Sequence, residues 1–247
     1  MVHASLRAIG PVEGGAIGVL SGIRSAIGPT GTIVLNLGAL DDWDWVNERP
    51  EAERADLLGD AEPFDCLVTP ADPDVGVLAE VFRTQPGTIV SDHPDGRFGA
   101  AGPAAAALFR TVPFDDYYGP SSPLERFVRS GGRVLRLGAD LGTVTVIHYA
   151  EYLVPLANKR RVRRHHLVSS PSGPVVRAVE CLDDSAGIRQ YRDGVDYFDV
   201  ILERYLATGR AAQGTVGSAT SELIEASDIV SFAVDWMSEN LDAPSAG

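Results

Sequence analysis

The stretch that decides the fold is VHASLRAIGPVEGGAIGVLSGIRSAIGPTGTIVLNL, residues 2–37. Its first residues, 2–6, are partly apolar and predict a short strand. Residues 16–27 carry apolar side chains at helical spacing and end at Gly28-Pro29, which predicts an amphipathic helix. Residues 32–37 have the composition of a buried strand. Strand, helix and strand in this order predict the βαβ beginning of a mostly parallel sheet.

The rest of the chain alternates short helical and extended patterns without an internal repeat. The predicted helices cover residues 77–84, 101–110, 145–154, 195–206 and 226–237, with another that begins at Ser122-Pro123. The predicted strands cover residues 133–137, 160–168 and 175–182, the last two as a pair. The acidic, proline-punctuated residues 41–65 predict a long surface loop, and residues 242–247 a flexible tail. The pattern therefore predicts one α/β domain over residues 1–241, with a central mixed, mostly parallel sheet flanked by helices.

Composition excludes several classes of protein. The 247 residues are 45% hydrophobic and 22% charged, which suits a soluble domain with a substantial core. Cys66 and Cys181 are too few for a disulfide framework or a zinc site and fit a reducing compartment. No apolar run approaches the ~20 residues of a membrane span, and the first residues lack the features of a signal peptide. These observations predict a cytoplasmic protein without a metal.

The formal net charge of −13 bears on the choice of partner. An acidic surface repels nucleic-acid phosphates and anionic lipids and attracts small cations. We therefore expect a cationic small-molecule amine and neither nucleic acid nor a membrane, although acidity also serves solubility alone. The sequence allows a monomer or a homodimer.

His148 and Glu151 form the most informative pair of polar residues. They are three residues apart on a predicted helix, so they share one face. A carboxylate beside an imidazole fixes its tautomer and raises its basicity, as a general base requires. The same spacing also suits an incidental surface or capping pair. It lacks the second histidine of a zinc peptidase motif, so no metal is predicted.

Three further motifs each admit a functional and a structural interpretation. Asp183 and Asp184 follow a predicted strand, where they suit either a site or a turn. The basic run over residues 159–164 suits either a nucleotide phosphate or a solvated strand edge. Residues 5–10 form a turn whose backbone N–H groups could meet an anion or serve only the turn.

Taken in order, many short motifs resemble the aminoglycoside 3-N-acetyltransferases over nearly the whole chain. These motifs are VHASLRAIGP (2–11), GPTGTIV (28–34), FD (64–65), TP (69–70), PDVGVLAEVFR (73–83), SDHP (91–94), YGPSSPL (118–124), GRVLRLG (132–138), TVIHYAE (145–151), NKR (158–160) and GTVG (214–217).

The resemblance implies an acetyl-CoA-dependent enzyme that acetylates the 3-amino group of a 2-deoxystreptamine aminoglycoside by direct transfer. It implies that His148 acts with a carboxylate from the loop after Leu182, where Asp183 is the better match and Asp184 lies next to it; helix spacing adds Glu151 as a further catalytic candidate. The cofactor-binding residues it implies are Ser5, Leu6, Arg7, Val77 and Thr145. The substrate-binding residues it implies are Asp72, Asp74, Tyr118 and Glu180. The acidic loop adds Asp41, Asp42 and Asp44, beside Trp43 and Trp45.

The chain departs from the family pattern in three respects. It begins inside the opening strand, without the leading helix and turn. Asp183 stands where a glutamate is common. Arg97 stands where the family usually has a small or apolar residue, and a cation in the acceptor cleft would oppose a cationic aminoglycoside. Three alternative functions follow: acetylation of another small amine, hydrolysis of acyl-CoA with His148 activating water, and an inactive, N-terminally truncated homologue.

Overall fold

Nine strands and nine α-helices are present in the computed structural model, which describes residues 1–39 and 42–241. The strands are β1 (Val2–Ala4), β2 (Ile33–Asn36), β3 (Ile89–Val90), β4 (Phe98–Ala101), β5 (Arg133–Leu137), β6 (Arg161–Val168), β7 (Val175–Leu182), β8 (Ala212–Val216) and β9 (Ala219–Glu225). The helices are α1 (Leu6–Ile9), α2 (Gly15–Ile27), α3 (Glu51–Leu57), α4 (Val77–Arg83), α5 (Ala105–Leu108), α6 (Pro123–Arg129), α7 (Ile147–Leu153), α8 (Tyr197–Ala207) and α9 (Ala226–Asn240). Short 3-10 turns cover Asp44–Glu48, Leu58–Asp60, Pro73–Val75 and Leu141–Thr143.

Seven strands form one mixed sheet in the order β3-β4-β2-β1-β5-β9-β8. The central strand β1 is parallel to both of its neighbours, β2 and β5. The four outer pairs in the described part of the chain are antiparallel. The mixed α/β fold is confirmed, but the prediction of a mostly parallel sheet is wrong. Hairpin connections at both edges of the sheet, which the βαβ beginning does not reveal, make most pairs antiparallel.

The predicted βαβ unit is present at the centre of this sheet. α2 connects β1 to β2, and Val2 pairs with Leu35 in parallel register. α2 buries Val19, Leu20 and Ile23 against the sheet, as its helical periodicity predicts. The carboxyl end of β1 leads directly into α1, so the Ser5–Arg7 segment lies at the edge of the sheet where parallel strands end.

Two apolar cores cover the two faces of the sheet. Alternation along β2 shows the division, because Ile33 and Leu35 belong to one core and Val34 to the other. The smaller core lies under α2 and α4. The larger core lies under α6 to α9 and includes Ile147 of α7, Ile201 of α8 and other residues of these helices. α7 is therefore fixed by burial of its apolar side chains.

β6 and β7 form a separate antiparallel pair, as predicted. The turn residues 170–173 join the two strands, and Arg163 lies opposite Glu180. The stretch predicted as a loop over 41–65 carries α3 and two 3-10 turns instead, because its charged residues suit a helix that lies on the surface. Asp41 and the predicted tail, residues 242–247, lie outside the described residues.

One predicted helix is shorter than expected. Residues 101–110 contain only the four-residue α5, and Ala101 is the last residue of β4. Residues 102–104 between them form a turn, in which Gly102 has a φ of 131° that does not fit a helix. In the described residues the longest helix, α9, has 15 residues, and none is both long and apolar enough to cross a bilayer.

Candidate active site

α7 brings His148 and Glu151 together. The two residues lie on one face of the helix, and Nδ1 of His148 is 2.7 Å from Oε2 of Glu151. Because a carboxylate only accepts hydrogen bonds, Nδ1 carries the proton and the Nε2 lone pair is free for a substrate. Glu151 is buried, and its Oε1 accepts a hydrogen bond from the hydroxyl of Tyr197. Both oxygens of the carboxylate are therefore engaged.

The surroundings of His148 decide its proton affinity. Burial alone would lower the pKa of His148, but the charge and hydrogen bond of Glu151 outweigh it, and the pKa is raised above its ordinary value. Asp184 and Asp196 add to this effect. The ring of Tyr118 stacks on the imidazole with centroids 4.9 Å apart, and the ring of Phe198 is tilted against it at 4.6 Å. These contacts fix the plane of the imidazole.

Three cavities meet at His148. The largest, of 780 Å³, runs from His148 along the carboxyl end of β1. All five residues predicted to bind the cofactor line it, namely Ser5, Leu6, Arg7, Val77 and Thr145. The structure thus places the residues of three separate sequence motifs around one cavity that reaches the imidazole.

Two smaller cavities are also lined by His148. One, of 230 Å³, is bounded by Asp72, Tyr118 and Asp184 together with Trp43 from the acidic segment. The other, of 340 Å³, is bounded mainly by the loop of residues 184–196 and the start of α8. Asp184 and His148 line both of them.

Asp184 is fixed by a buried polar network. Its Oδ1 is 2.7 Å from Nη2 of Arg164, and its Oδ2 accepts from the hydroxyl of Tyr117. Arg164 also donates to the hydroxyl of Ser185 at 2.9 Å. Burial opposes the charge of Arg164, but Asp184 outweighs it and raises the pKa of the guanidinium. The cavity wall therefore contains an ion pair whose net charge is near zero.

A second polar group lies in the same wall. His166 is 3.1 Å from the buried carboxylate of Asp95. The backbone N–H groups of Asp95 and Gly96 donate to Nδ1 of His93 at 3.0 and 2.8 Å, so Nε2 of that ring is the donor to the Phe114 carbonyl. Burial raises the pKa of Asp95, but its interactions with His166, His93 and Arg164 outweigh burial and the net pKa is lowered.

Four residues singled out in the sequence have other positions. Asp183 accepts from the N–H groups of Ser185 and Ala186 at 3.2 and 2.8 Å, so its contacts are those of a turn residue. Glu180 points to the outer face of the β6–β7 pair, opposite to the cavity, because alternate residues of a strand face opposite sides. Asp74 lines the 780 Å³ cavity instead of the acceptor side.

The fourth is Arg97, which does not line the cleft with its guanidinium. It is 1% exposed and donates to the carbonyls of Cys66 at 2.9 Å and Pro70 at 2.7 Å, and to that of Thr69. It therefore cross-links the segment before Asp72 and presents no cation to an incoming amine.

Sequence reasoning missed Tyr197, Phe198 and the partners of Asp184. The phenol of Tyr197 reaches Glu151 across 46 residues of sequence, and no local spacing signals such a contact. The basic run did contain a signal, since Arg164 faces inward to Asp184 while Arg161 and Arg163 pair with surface carboxylates. Alternation with the strand period separates Arg164 from Arg161 and Arg163.

A mixed α/β sheet with a histidine–carboxylate pair between one large and two small cavities is typical of a group-transfer enzyme. Comparison with known proteins supplies the family. Residues 1–238 match the sequence model described as Aminoglycoside 3-N-acetyltransferase. The chain is 41% identical to Aminoglycoside N(3)-acetyltransferase III of Serratia marcescens, over 99% of this chain and 92% of the relative.

Solved structures agree with this match. The structure described as AAC-IIIb binary with CoASH matches with a TM-score of 0.88 and 33% identity. The match covers 99% of this chain and 91% of the chain in that structure. The structure described as AAC-VIa bound to Sisomicin matches with a TM-score of 0.89 and 35% identity. The match covers 98% of this chain and 91% of the chain in that structure. The chain belongs to the aminoglycoside 3-N-acetyltransferase family. The predicted enzyme class, an acyltransferase, and its cosubstrate, acetyl-CoA, are confirmed for the family.

Proposed function

We propose that this chain transfers the acetyl group of acetyl-CoA directly to the 3-amino group of a 2-deoxystreptamine aminoglycoside, with His148 as general base and Glu151 as its carboxylate partner. The observation that carries the proposal is the position of His148, whose imidazole lines all three cavities. A base that removes a proton from an attacking amine must lie between the acyl donor and the acceptor.

The 780 Å³ cavity suits coenzyme A. In the described part of the chain, the N–H groups of Leu6 and Arg7 have no backbone acceptor, and Arg7 is exposed without a carboxylate partner. Free N–H groups and an arginine at a cavity wall are the donors that a diphosphate needs. Val77, which is 60% exposed, offers apolar surface in the same cavity. Bound acetyl-CoA would supply the acetyl group as a thioester.

The chemistry of His148 follows from its hydrogen bonds. An aliphatic amine is a nucleophile only after it loses its extra proton, and Nε2 of His148 is the free acceptor for a proton. Glu151 stabilises the imidazolium that forms, because its Oε2 is 2.7 Å from Nδ1 and is buried away from water. The stacked ring of Tyr118 fixes the plane of the imidazole.

The acceptor side is proposed to be the 230 Å³ cavity with the adjoining 340 Å³ cavity. The first is lined by the carboxylates of Asp44, Asp72, Asp95 and Asp184 and by one arginine, Arg164, and the second by those of Glu151, Asp184 and Asp196 and by Arg189 and Arg192. Carboxylates that outnumber cations attract a molecule with several ammonium groups. The likeness to a protein solved with sisomicin supports the same class of acceptor. Cys66 and Cys181 are both free thiols, which supports a cytoplasmic location.

The test is a free-thiol release assay with acetyl-CoA, run with an aminoglycoside, with an uncharged amine and without acceptor. We expect thiol release only with the aminoglycoside, and NMR of the product should place the acetyl group on the 3-amino nitrogen. Release without acceptor would instead indicate an acyl-CoA hydrolase. Release with the uncharged amine alone would move the acceptor to another class, and no release under any condition would support an inactive homologue.

The His148→Ala variant tests the base separately. General-base catalysis contributes roughly 10²–10⁴-fold, so turnover should fall by that factor. Binding of coenzyme A, measured by calorimetry, should stay within about twofold because most of the cavity lining is unchanged. Unchanged turnover in this variant would overturn the assignment of the base while leaving the transferase activity in place.

A further inference from the structure

We propose that Tyr197 is a positioning residue, which orients Glu151 toward His148 and connects that pair to the loop of residues 184–196. The inference rests on the proposed role of His148 as base. Tyr197 belongs to none of the sequence motifs described above, and its proposed role follows only from its contacts in the folded chain.

The hydroxyl of Tyr197 is the second partner of the Glu151 carboxylate. It donates to Oε1, while Oε2 faces His148. Both residues are buried, so their hydrogen bond is largely shielded from solvent. A carboxylate with a single partner can rotate about its last bond, whereas one with two partners in different directions cannot. The Tyr197 contact therefore sets the direction of Oε2.

The phenol keeps its proton across the working range of pH. Burial raises the pKa of Tyr197, and the neighbouring charge of Glu151 raises it further. The hydroxyl is consequently a permanent donor to Glu151. A phenol that keeps its proton holds Oε1 as an acceptor, so Oε2 remains the acceptor for Nδ1 of His148.

The same hydroxyl also contacts the loop that borders the 340 Å³ cavity. It accepts a hydrogen bond of 3.1 Å from the N–H of Ile188, a fully buried residue of that loop. The close approach requires Gly187, where a Cβ would lie 2.5 Å from Cε1 of Tyr197. The carboxylate of Asp196 caps the start of α8 by accepting from the N–H of Phe198 at 2.8 Å. The hydroxyl of Tyr197, at the start of α8, therefore contacts both the loop of residues 184–196 and the Glu151 carboxylate.

Tyr197→Phe removes only this hydroxyl. We expect kcat to fall at least tenfold, because Oε2 loses its fixed direction, with coenzyme A binding unchanged. Glu151 without its second donor is a stronger base and stabilises the imidazolium more, so the acid limb of the kcat profile should move to higher pH.

The matched control is Tyr205→Phe on the same helix. The hydroxyl of Tyr205 donates to Asp228 at 2.7 Å, so the control also removes a tyrosine–carboxylate hydrogen bond from α8, away from the three cavities. It should leave kcat within about twofold and the acid limb in place, because the hydroxyl of Tyr205 contacts neither His148 nor Glu151. Equal losses in both variants would overturn the proposal in favour of a general effect on α8.

A double-mutant cycle with Glu151→Gln separates positioning from other roles. If Tyr197 acts through Glu151, adding Tyr197→Phe to Glu151→Gln should change kcat by less than about twofold, since interacting sites are not additive. Full additivity would overturn the proposal. Loss of activity in His148→Ala with normal activity in Tyr197→Phe would refute the role of Tyr197 alone. Full activity in His148→Ala would refute the base itself.

A second probe does not depend on how well Tyr197→Phe folds. Site-specific replacement of Tyr197 by 3-fluorotyrosine keeps the ring and the hydroxyl but makes the phenol more acidic and a stronger donor. The acid limb should then move to lower pH, opposite to the shift in Tyr197→Phe. An acid limb that does not move, or moves to higher pH, would contradict the proposal.

Discussion

Oε2 of Glu151 lies 2.7 Å from Nδ1 of His148, and this contact outweighs burial of the ring, so that the pKa of His148 is raised. As the proposed base, His148 is active only when its imidazole is neutral. Activity should therefore fall as pH decreases through this raised pKa, which lies above the ordinary value of 6.5. Glu151→Gln removes the negative partner, so the acid limb of kcat should move to lower pH and kcat should fall by roughly tenfold or more.

The control for this prediction is Glu203→Gln, which makes the same chemical change at an exposed residue of α8. Its pH profile should match the unmodified protein. An acid limb that stays fixed in Glu151→Gln would show that His148 is not the group that titrates in kcat.

Arg7 tests the assignment of the 780 Å³ cavity. It is exposed at the start of α1 and lines this cavity. Arg7→Ala should weaken binding of coenzyme A by about tenfold, the order expected for one charge-assisted contact, and should make the affinity less sensitive to salt. Calorimetry at two salt concentrations measures both effects.

Arg24→Ala removes another exposed arginine, on α2, and is the matched control. It should change neither the affinity nor its salt dependence. Equal weakening in the two variants would point to the overall charge of the protein instead of a contact at Arg7.

Asp184 and Glu180 test which carboxylate serves the acceptor. Asp184→Asn leaves Arg164, whose side chain is 12% exposed, without its carboxylate at the wall of the acceptor cavity. An unpaired buried cation repels an ammonium group, so KM for a polycationic acceptor should rise by roughly tenfold or more. Glu180→Gln changes the outer face of the β6–β7 pair and should leave KM unchanged. A larger effect of Glu180→Gln would restore the sequence prediction for that residue.

Arg97 should contribute to stability and not to acceptor binding. Arg97→Met removes a charged donor from the carbonyls of Cys66, Thr69 and Pro70, and should lower the free energy of unfolding by roughly 3 kcal/mol. Urea denaturation measures this loss, with the exposed Arg24→Met as control. KM for a polycation should stay the same; a clear decrease would mean that Arg97 opposes the substrate after all.

The parts of the fold that were predictable are those with local signals. α2 carries its periodicity and its Gly28-Pro29 stop within 14 residues, and α6 begins as predicted with Ser122 accepting from the Glu125 N–H. β8 escaped prediction because all five of its residues are exposed, so it lacks the apolar alternation that marks a strand. Its pairing with β9, and that of β9 with β5, is decided by tertiary contacts.

The candidate site likewise contains some contacts that local sequence predicts and others that it does not. His148 and Glu151 are three residues apart, so helix geometry alone predicts their contact. The pair of Arg164 with Asp184 and that of Tyr197 with Glu151 join distant segments, and only the folded chain brings them together. Asp183 and Asp184 are adjacent, yet one forms a turn and the other faces the cavity. Which of two neighbouring carboxylates faces inward depends on how the strand β7 ends, and composition does not contain that information.

The last prediction concerns the charge of the acceptor. Asp44, Asp72 and Asp184 line the 230 Å³ cavity, the net charge of the chain is −13, and Arg97 is buried away from the cleft. A polycation attracted by this field should lose apparent affinity as salt screens charges beyond about 10 Å at 0.1 M. KM for a panel of aminoglycosides with increasing numbers of ammonium groups should therefore rise with salt, and more steeply for each added charge. An uncharged amine provides the control, because its KM should not respond to salt. A flat response for every aminoglycoside, together with turnover of an uncharged or anionic amine, would overturn the proposed substrate class and leave the acetyltransferase assignment intact.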